Sequence, residues 1–401
     1  MAVFKPFKAF RPKPELAAEV AAKPYDVLNS EEARIEAEGH PYSFLHVGKP
    51  EIDLPPDIDI HSEPVYLKAK ENLDKLLKEQ VLIEDPKASF YLYAQTMDGR
   101  TQYGFVGVAS VDDYWNDVIK KHEKTRKDKE EDRANHVRYT NSHSGPIFLT
   151  FHDNEELQTI INNVSSHKPN IDIITADSIR HQVWVIDEDA LITKINEIFK
   201  NMKNLYVADG HHRSAAAAIV GRERQLANPN HKGDEEYNYF LAVAFPASHL
   251  KILDYNRVVK DLNGLSKNDF LAKIKENFLI TEVANQFKPE KKGQFGMYLD
   301  GKWYKLEAKT EITSVKDPVE KLDVSILQKY VLSAILGIND PRTDKRIDFV
   351  GGIRGLGELE KRVNSGEMAV AFALYPTSIK ELMDIADAGQ IMPPKSTWFE
   401  P

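Results

Sequence analysis

The pentapeptide Asp-Gly-His-His-Arg at residues 209–213 separates an apolar run at 205–208 from four alanines at 215–218. The apolar run predicts a strand and the alanines predict a helix. A helix start presents unpaired backbone N–H groups and the positive end of the helix dipole, which suit an anion such as phosphate. Gly210 permits a tight turn, and Arg213 can grip an anion with two donors. We call residues 209–213 the histidine turn and predict that it binds an anion.

The other side chains of the histidine turn admit more than one role. His211 and His212 can donate or shuttle protons, or they can be surface histidines at a capped connection. A shared metal ion is the weaker alternative, because adjacent residues on a helix point about 100° apart. Asp209 can be a general base, a Mg²⁺ ligand or the helix cap.

A second group of cations lies in the highly charged segment at residues 120–133. Glu123 and Lys127 are spaced i to i+4, which favours a helix over a disordered run. A regular helix would align four basic side chains along one side, namely His122, Arg126, Lys129 and Arg133. Such a positive stripe is either a phosphate-binding face or a solvated surface.

The last residues offer further phosphate donors. Lys395, Ser396 and Thr397 precede Trp398 and Phe399, whose aromatic area predicts that the tail docks onto the body of the protein. Docking can bring the ammonium and the hydroxyls to a phosphate, or it can serve packing alone.

Phosphoryl transfer also needs a carboxylate that positions or deprotonates the accepting hydroxyl, together with cations, usually Mg²⁺. Asp26, in the rigid bend at residues 24–26, is the candidate. Glu31 and Glu32 are the next choices. The competing interpretation is that these residues only bend and cap the chain.

Composition narrows the function classes. The chain of 401 residues has 42% hydrophobic and 29% charged residues, which indicates a globular protein of two or three domains. The absence of cysteine excludes disulfides, thiolate catalysis and cysteine-ligated metal centres. A net charge of -9 argues against broad nucleic-acid binding. The absence of a long apolar run and of a signal sequence predicts a cytoplasmic protein without membrane contact.

The predicted elements are of mixed α/β character, with strands and helices alternating from residue 147 to residue 245. A boundary after Pro246 separates two domains, 1–246 and 247–401. Asp-Gly turns at 98–99 and 300–301 predict hairpins. Ser30 is expected to cap a helix, and a long helix is expected over residues 318–336.

Four motifs together resemble the bacterial and archaeal domain-of-unknown-function family 1015. They are Ala-Asp-Gly-His-His-Arg at 208–213, Arg-Pro at 11–12 with Pro-Tyr-Asp-Val at 24–27, His-Glu-Lys-Thr at 122–125 with Asp-Arg at 132–133, and Met-Pro-Pro-Lys-Ser-Thr at 392–397. The resemblance covers essentially the whole chain. The family is similar, more distantly, to the ParB and sulfiredoxin-like superfamily, which includes an ADP-dependent free serine kinase.

The resemblance implies a ParB/sulfiredoxin-like core with a large insertion at about residues 61–145 and a second α/β domain at the carboxyl terminus. It implies a phosphotransferase that moves phosphate between ADP or ATP, with Mg²⁺, and free L-serine, or that dephosphorylates phosphoserine. Catalysis would fall to Asp26, Asp209 and His211. Phosphate would be held by Gly210, His212, Arg213, His122, Arg126, Arg133, Lys395, Ser396 and Thr397. The alternatives are a nucleotide-binding regulatory protein without turnover and a metal-dependent phosphohydrolase.

Overall fold

A mixed nine-stranded sheet organises the first part of the computed structural model, which describes residues 1–401. The chain divides into two units, residues 1–249 with Pro401 and residues 250–400. The boundary expected at Pro246 lies three residues before this division.

The first unit contains eleven strands and nine helices. Its strands are β1 (Phe4–Lys5), β2 (Phe10–Pro12), β3 (Leu82–Glu84), β4 (Phe90–Met97), β5 (Arg100–Ser110), β6 (Ile119–Lys120), β7 (Ile147–Phe151), β8 (Ile171–Ile174), β9 (Arg180–Ile186), β10 (Leu205–Asp209) and β11 (Tyr239–Pro246). Its helices are α1 (Ala17–Val20), α2 (Ser30–Ala37), α3 (Leu45–Gly48), α4 (Glu63–Lys78), α5 (Val111–Trp115), α6 (Lys127–Thr140), α7 (Glu155–Ser165), α8 (Asp189–Asn201) and α9 (His211–Ala227).

The large sheet has the strand order β6-β10-β7-β11-β5-β4-β9-β8, with β1 paired to β5. Two pairs, β6 with β10 and β7 with β11, are parallel, and the others are antiparallel. Parallel neighbours require a crossover, and helices supply it here. The predicted hairpin is β4 and β5, joined by Asp98 and Gly99, both at positive φ. The mixed α and β fold class is therefore confirmed.

Helix α9 packs closely onto its neighbours because most of its buried residues are small. The four alanines at 215–218 are all buried. At Gly221, an added Cβ would lie 2.7 Å from the carbonyl oxygen of Tyr237 and 2.7 Å from a Val111 methyl group. The alanine run and Gly221 therefore let α9 approach its neighbours closely.

Two local predictions in this unit are wrong. The segment 120–133 is not one helix, since β6 pairs with β10 and α6 starts only at Lys127. His122 and Arg126 therefore lie outside the helix and the predicted stripe does not form. The cap of α2 is Asn29, whose side chain accepts from the Glu32 amide, while the Ser30 hydroxyl donates to Glu51. The pairing of β6 with β10 prevents a single helix over residues 120–133. Asn29, and not Ser30, caps α2.

The second unit is built on an antiparallel six-stranded sheet in the order β13-β15-β14-β17-β12-β16. Its elements are β12 (Tyr255–Val259), α10 (Lys267–Asn277), β13 (Phe278–Val283), β14 (Gln294–Leu299), β15 (Lys302–Ala308), α11 (Thr310–Thr313), α12 (Asp323–Leu327), β16 (Ile347–Gly351), α13 (Leu356–Asn364), β17 (Val370–Leu374) and α14 (Ile379–Asp387). The second predicted hairpin is β14 and β15.

The long helix expected over residues 318–336 is wrong. Asp317 caps only a turn, by accepting from the amides of Val319 and Glu320. The helical region begins at Asp323 and continues as a π-helix over Gln328–Ser333. The wider turn keeps Val331 and Leu332 buried, which apolar periodicity alone did not reveal.

No helix in either unit is long and apolar enough to cross a membrane.

We predict that Gly221→Ala lowers the free energy of unfolding by about 1–3 kcal/mol, because the added methyl group overlaps the Tyr237 carbonyl and Val111. Gly357→Ala, in α13 with nothing within 4 Å of the added Cβ, is the matched control and should be neutral or slightly stabilising. Chemical denaturation compares the two variants. Equal stability of both would show that α9 does not depend on this close approach.

Candidate functional site

The histidine turn is a sharp change from strand to helix. Strand β10 ends at Asp209 after a register irregularity against β7, and Gly210 has a φ of 87°, a left-handed conformation that favours glycine. Helix α9 starts at His211, and its first backbone hydrogen bond runs from the Ser214 amide to the Gly210 carbonyl, at 2.8 Å. The amides of the first turn therefore lie at the positive end of a 17-residue helix.

Arg213 is held in place at this helix start. One guanidinium nitrogen donates to the Pro146 carbonyl at 2.8 Å, and another donates to the Asp209 carboxylate at 3.1 Å. Two glycines border the side chain: a Cβ at Gly210 would lie 3.2 Å from its Nε, and one at Gly145 would lie 3.5 Å from its Cδ. Only 18% of the Arg213 side chain is exposed. The Arg213 guanidinium is thus oriented before a ligand binds. The Asp209 side chain lies largely in solvent.

His211 is buried and packs edge to face against His122, with ring centroids 4.5 Å apart. Burial lowers the pKa of His122 to about 4 and holds the pKa of His211 well below its ordinary value. Nδ1 of His122 and Nε2 of His211 have no hydrogen-bond partner, and Glu123 Oε2 lies 3.6 Å from His211 Nδ1. The structure brings His122 to the histidine turn through the pairing of β6 with β10, not through a helical stripe.

His212 connects the starts of two helices. Its Nε2 accepts a hydrogen bond from the backbone amide of Arg126, the residue that precedes α6, at 3.2 Å. Burial lowers the pKa of His212, which favours the neutral ring that this acceptor role requires. The Arg126 side chain turns to solvent and pairs with Asp128 at 2.7 Å.

The amino-terminal bend lies near the same turn. The Arg133 guanidinium stacks over the Tyr25 ring, 4.1 Å from its centroid. Burial and the neighbouring Asp26 raise the pKa of Tyr25, while the charges of Arg133 and Arg213 oppose that rise. Tyr25 is therefore within electrostatic range of both arginines, and the exposed Asp26 follows it directly.

Arg133 is itself positioned by Asp132, which sequence reasoning did not select. The carboxylate accepts from Arg133 at 2.7 Å, from the Tyr66 hydroxyl at 2.9 Å and from His61 at 3.0 Å. Burial alone would raise the pKa of Asp132, but Arg133 and these hydrogen bonds lower it. The Asp-Arg pair of the third family motif was the only signal for this residue.

Three predicted phosphate ligands lie in the second unit. Ser396 is buried and donates to the Pro393 carbonyl at 2.6 Å, and the Lys395 ammonium lies 5.7 Å from the centroid of the Tyr255 ring. Thr397 precedes Trp398, whose carbonyl accepts from the Leu253 amide. The tail thus packs within its own unit, and its role in phosphate binding stays a prediction.

Glu31 and Glu32, the alternatives to Asp26 as the catalytic carboxylate, have other contacts. Glu32 closes the capping box of α2 by accepting from the Asn29 amide at 2.9 Å. Glu31 borders an open cavity of about 540 Å³ that is also lined by Arg34, His40 and His46. Neither shares the surroundings of Tyr25. Nowhere do three or more His, Asp or Glu side chains form a group that could hold a metal ion by themselves.

Residues 4–325 match the family described as protein of unknown function, DUF1015, and the chain belongs to this family. The family predicted from the four motifs is therefore confirmed. No curated protein matches the chain in sequence.

Several solved structures are similar to the chain at low sequence identity. Free serine kinase in complex with AMP is 13% identical, with a TM-score of 0.35 over 73% of this chain and 86% of that one. SbnI with a C-terminal truncation, from Staphylococcus aureus, is 11% identical, with a TM-score of 0.37 over 74% and 82%. A conserved hypothetical protein from Pyrococcus furiosus is 13% identical, with a TM-score of 0.33 over 74% and 90%.

We predict that His122→Gln weakens the acid sensitivity of the fold. Because burial lowers the pKa of His122 from 6.5 to about 4, the unfolded chain binds a proton in this pH window that the folded chain does not. Stability present above pH 6.5 is therefore lost as the pH falls toward 4. The variant should reduce the slope of unfolding free energy against pH by up to about 1.4 kcal/mol per pH unit.

Denaturant titrations at several pH values measure this slope, and the exposed His40→Gln is the control that should retain it. A wild-type slope in His122→Gln would contradict the buried, neutral state of this ring.

Proposed function

We propose that this protein transfers a phosphoryl group between a nucleotide and the hydroxyl of free L-serine, or removes phosphate from phosphoserine at the same site. The observation that carries the proposal is the convergence of two distant segments. The bend that contains Tyr25 and Asp26 lies within electrostatic range of Arg213, at the start of α9. A carboxylate and an anion-binding helix start are the two parts that phosphoryl transfer requires from a protein.

The histidine turn would bind the transferred phosphate. The first-turn amides of α9 donate to anions, and the helix dipole adds a partial positive charge of about one half. Arg213 is fixed by Pro146 and Asp209 at hydrogen-bond distances, so little side-chain entropy is lost when a phosphate arrives. Gly210 allows the phosphate to approach the backbone, since a side chain there would crowd the guanidinium.

Asp26 would accept the proton of the serine hydroxyl in one direction and return it in the other. A general base has to reach the hydroxyl directly or through one water molecule, and the exposed Asp26 is free to do so. Tyr25 would orient Asp26, because the Arg133 guanidinium stacks over the tyrosine ring, 4.1 Å from its centroid. Asp132 in turn forms an ion pair with Arg133. The orientation of Asp26 would therefore depend on Tyr25, Arg133 and Asp132.

Asp209 suits a shared Mg²⁺ ion. Magnesium is usually bound by one or two carboxylates together with substrate phosphates, and Asp209 presents a largely exposed carboxylate beside the helix start. When bound with a nucleotide, the ion would neutralise charge on the phosphates. Serine is inferred as the substrate from the motif resemblance to the serine-kinase superfamily. The phosphate site is inferred from the geometry of the histidine turn.

We predict that Arg213→Ala weakens the binding of ADP and of phosphoserine at least about 10-fold, because it removes two charge-assisted donors of about 1.5–3 kcal/mol in total. Arg222→Ala, on the same helix but exposed and paired only with Gln225, should bind both ligands normally. Isothermal titration calorimetry measures the affinities. Unchanged affinity in Arg213→Ala would place the anion site elsewhere.

We predict that Asp26→Asn lowers the turnover rate about 10²–10⁴-fold while nucleotide affinity changes less than about threefold, because a general base acts on the reacting proton. Phosphate exchange among serine, phosphoserine, ADP and ATP with Mg²⁺ is the assay. Asp57→Asn, at an exposed carboxylate of the same unit, is the matched control.

Loss of turnover in Glu31→Gln or Glu32→Gln, with full activity in Asp26→Asn, would reassign the base. Tight nucleotide binding without exchange in the wild-type protein would instead indicate a nucleotide-binding regulatory protein.

A further inference from the structure

We propose that the second unit binds a phosphate group, which is held by the buried guanidinium of Arg257 and the ammonium of Lys395. Lys395 belongs to one of the four family motifs, and the proposed function gives this motif no role. The inference uses residues of the second unit alone, so it goes beyond the proposed function and does not depend on it.

The first observation is a charged side chain among apolar ones. Arg257 lies on β12, which runs between β16 and β17, and its register partners on those strands are Phe349 and Phe372. Arg257 is 4% exposed, and its guanidinium carbon lies 5.3 Å from the centroid of the Phe349 ring. Burial lowers the pKa of Arg257 to about 10, so the guanidinium keeps its charge at neutral pH. Arginine is almost never buried to this degree without a partner.

The second observation is that no carboxylate balances this charge. The Arg257 guanidinium donates to two backbone carbonyls, that of Tyr255 and that of Lys395 at 2.9 Å, and it forms no ion pair. Carbonyl dipoles stabilise a cation but leave its charge in place, and further N–H groups of the guanidinium remain for another acceptor. Because a buried charge without a counterion is costly, a bound anion would stabilise this arrangement.

The carboxylates that are near in sequence have other partners. Asp254 accepts from the side-chain amide of Asn256 at 2.6 Å, and Asn256 lies on the opposite face of β12 from Arg257 because side chains alternate along a strand. On β16, Asp348 pairs with Arg362 at 2.6 Å. The second unit therefore supplies no counterion for Arg257 from these positions.

The third observation is a second cation beside the first. The Lys395 carbonyl accepts from Arg257, and the Lys395 ammonium lies 5.7 Å from the centroid of the Tyr255 ring. The Lys395 side chain is exposed and forms no ion pair. Two positive charges without an internal match suit a dianion such as phosphate better than a carboxylate, which balances only one of them. The exposed ammonium would meet the phosphate first, and the buried guanidinium would add the stronger attraction.

Trp398 is a local reporter for this site, because its ring packs edge to face against Tyr255 with centroids 5.2 Å apart. Full-length protein labelled with fluorotryptophan is titrated with inorganic phosphate and followed by fluorine NMR, and Trp398→Phe identifies the resonance. The Arg213→Ala protein is used, so that the histidine turn does not contribute. We expect a saturable shift of the Trp398 resonance and none of Trp303, whose indole is bonded to Glu360. The absence of a saturable shift would overturn the inference and leave Arg257 as an anchor for the tail.

Variants assign the phosphate to the two cations. Lys395→Met leaves the core intact, since the side chain is exposed and the carbonyl that Arg257 contacts is kept. Its dissociation constant for phosphate should rise about 3–10-fold. Lys273→Met, at an exposed lysine of α10, is the matched control and should bind as the parent does. Arg257→Met should abolish the response, with circular dichroism to show that it is folded. Equal affinity in Lys395→Met and its parent would overturn the site.

Other ligands define the class of anion and separate this inference from the proposed function. Acetate should need at least about 10-fold higher concentrations than phosphate, and an equal affinity would overturn the assignment to a dianion. ADP that competes with phosphate at Trp398 would identify a nucleotide as the ligand, whereas ADP that does not compete would identify free phosphate or a smaller ester. A Trp398 response that appears in the wild-type protein but not in Arg213→Ala would overturn this inference and leave the proposed function in place.

Discussion

The close packing of α9 against the sheet is the constraint on which the rest of the site depends. Small side chains around this helix, including the alanines at 215–218, let it lie where a larger side chain at Gly221 would overlap the Tyr237 carbonyl. Because interiors are close-packed, this contact restricts how far the helix can shift. The turn at Gly210, the guanidinium of Arg213 and the buried ring of His211 all take their positions from it.

Charge is arranged around that helix start in local pairs. Each arginine has its own carboxylate, and each carboxylate is near it in sequence, so the cations are oriented before any ligand binds. Asp132 shows this most clearly, since three side chains, those of Arg133, Tyr66 and His61, converge on it. The Arg133 guanidinium oriented in this way stacks over the Tyr25 ring. Preorganisation of this kind lowers the entropy lost on binding.

Much of the fold followed from patterns that are local in the chain. The Asp-Gly turns at 98–99 and 300–301 predicted both hairpins, since two residues at positive φ leave few alternatives. Strand β10 and helix α9 appear where the apolar run at 205–208 and the alanines at 215–218 predict them. The failures share a cause. The charge spacing of the segment at 120–133 predicts a helix, but β6 pairs with a strand more than eighty residues away. Residues Gln328–Ser333 form a π-helix in which Val331 and Leu332 are buried.

The sequence by itself determined the chemistry available: a glycine that turns a strand into a helix, an arginine in its first turn, adjacent histidines and no cysteine. Residue type and short spacing suffice for these, because helix starts and positive φ values are local properties. Only the tertiary structure decided which distant residues join them. It set His122 against His211 and Tyr25 beside Arg133, and it placed Lys395 in the other unit. The physical reason is that burial and non-local strand pairing, which no local pattern encodes, determine which rings lose water and which carboxylates meet cations.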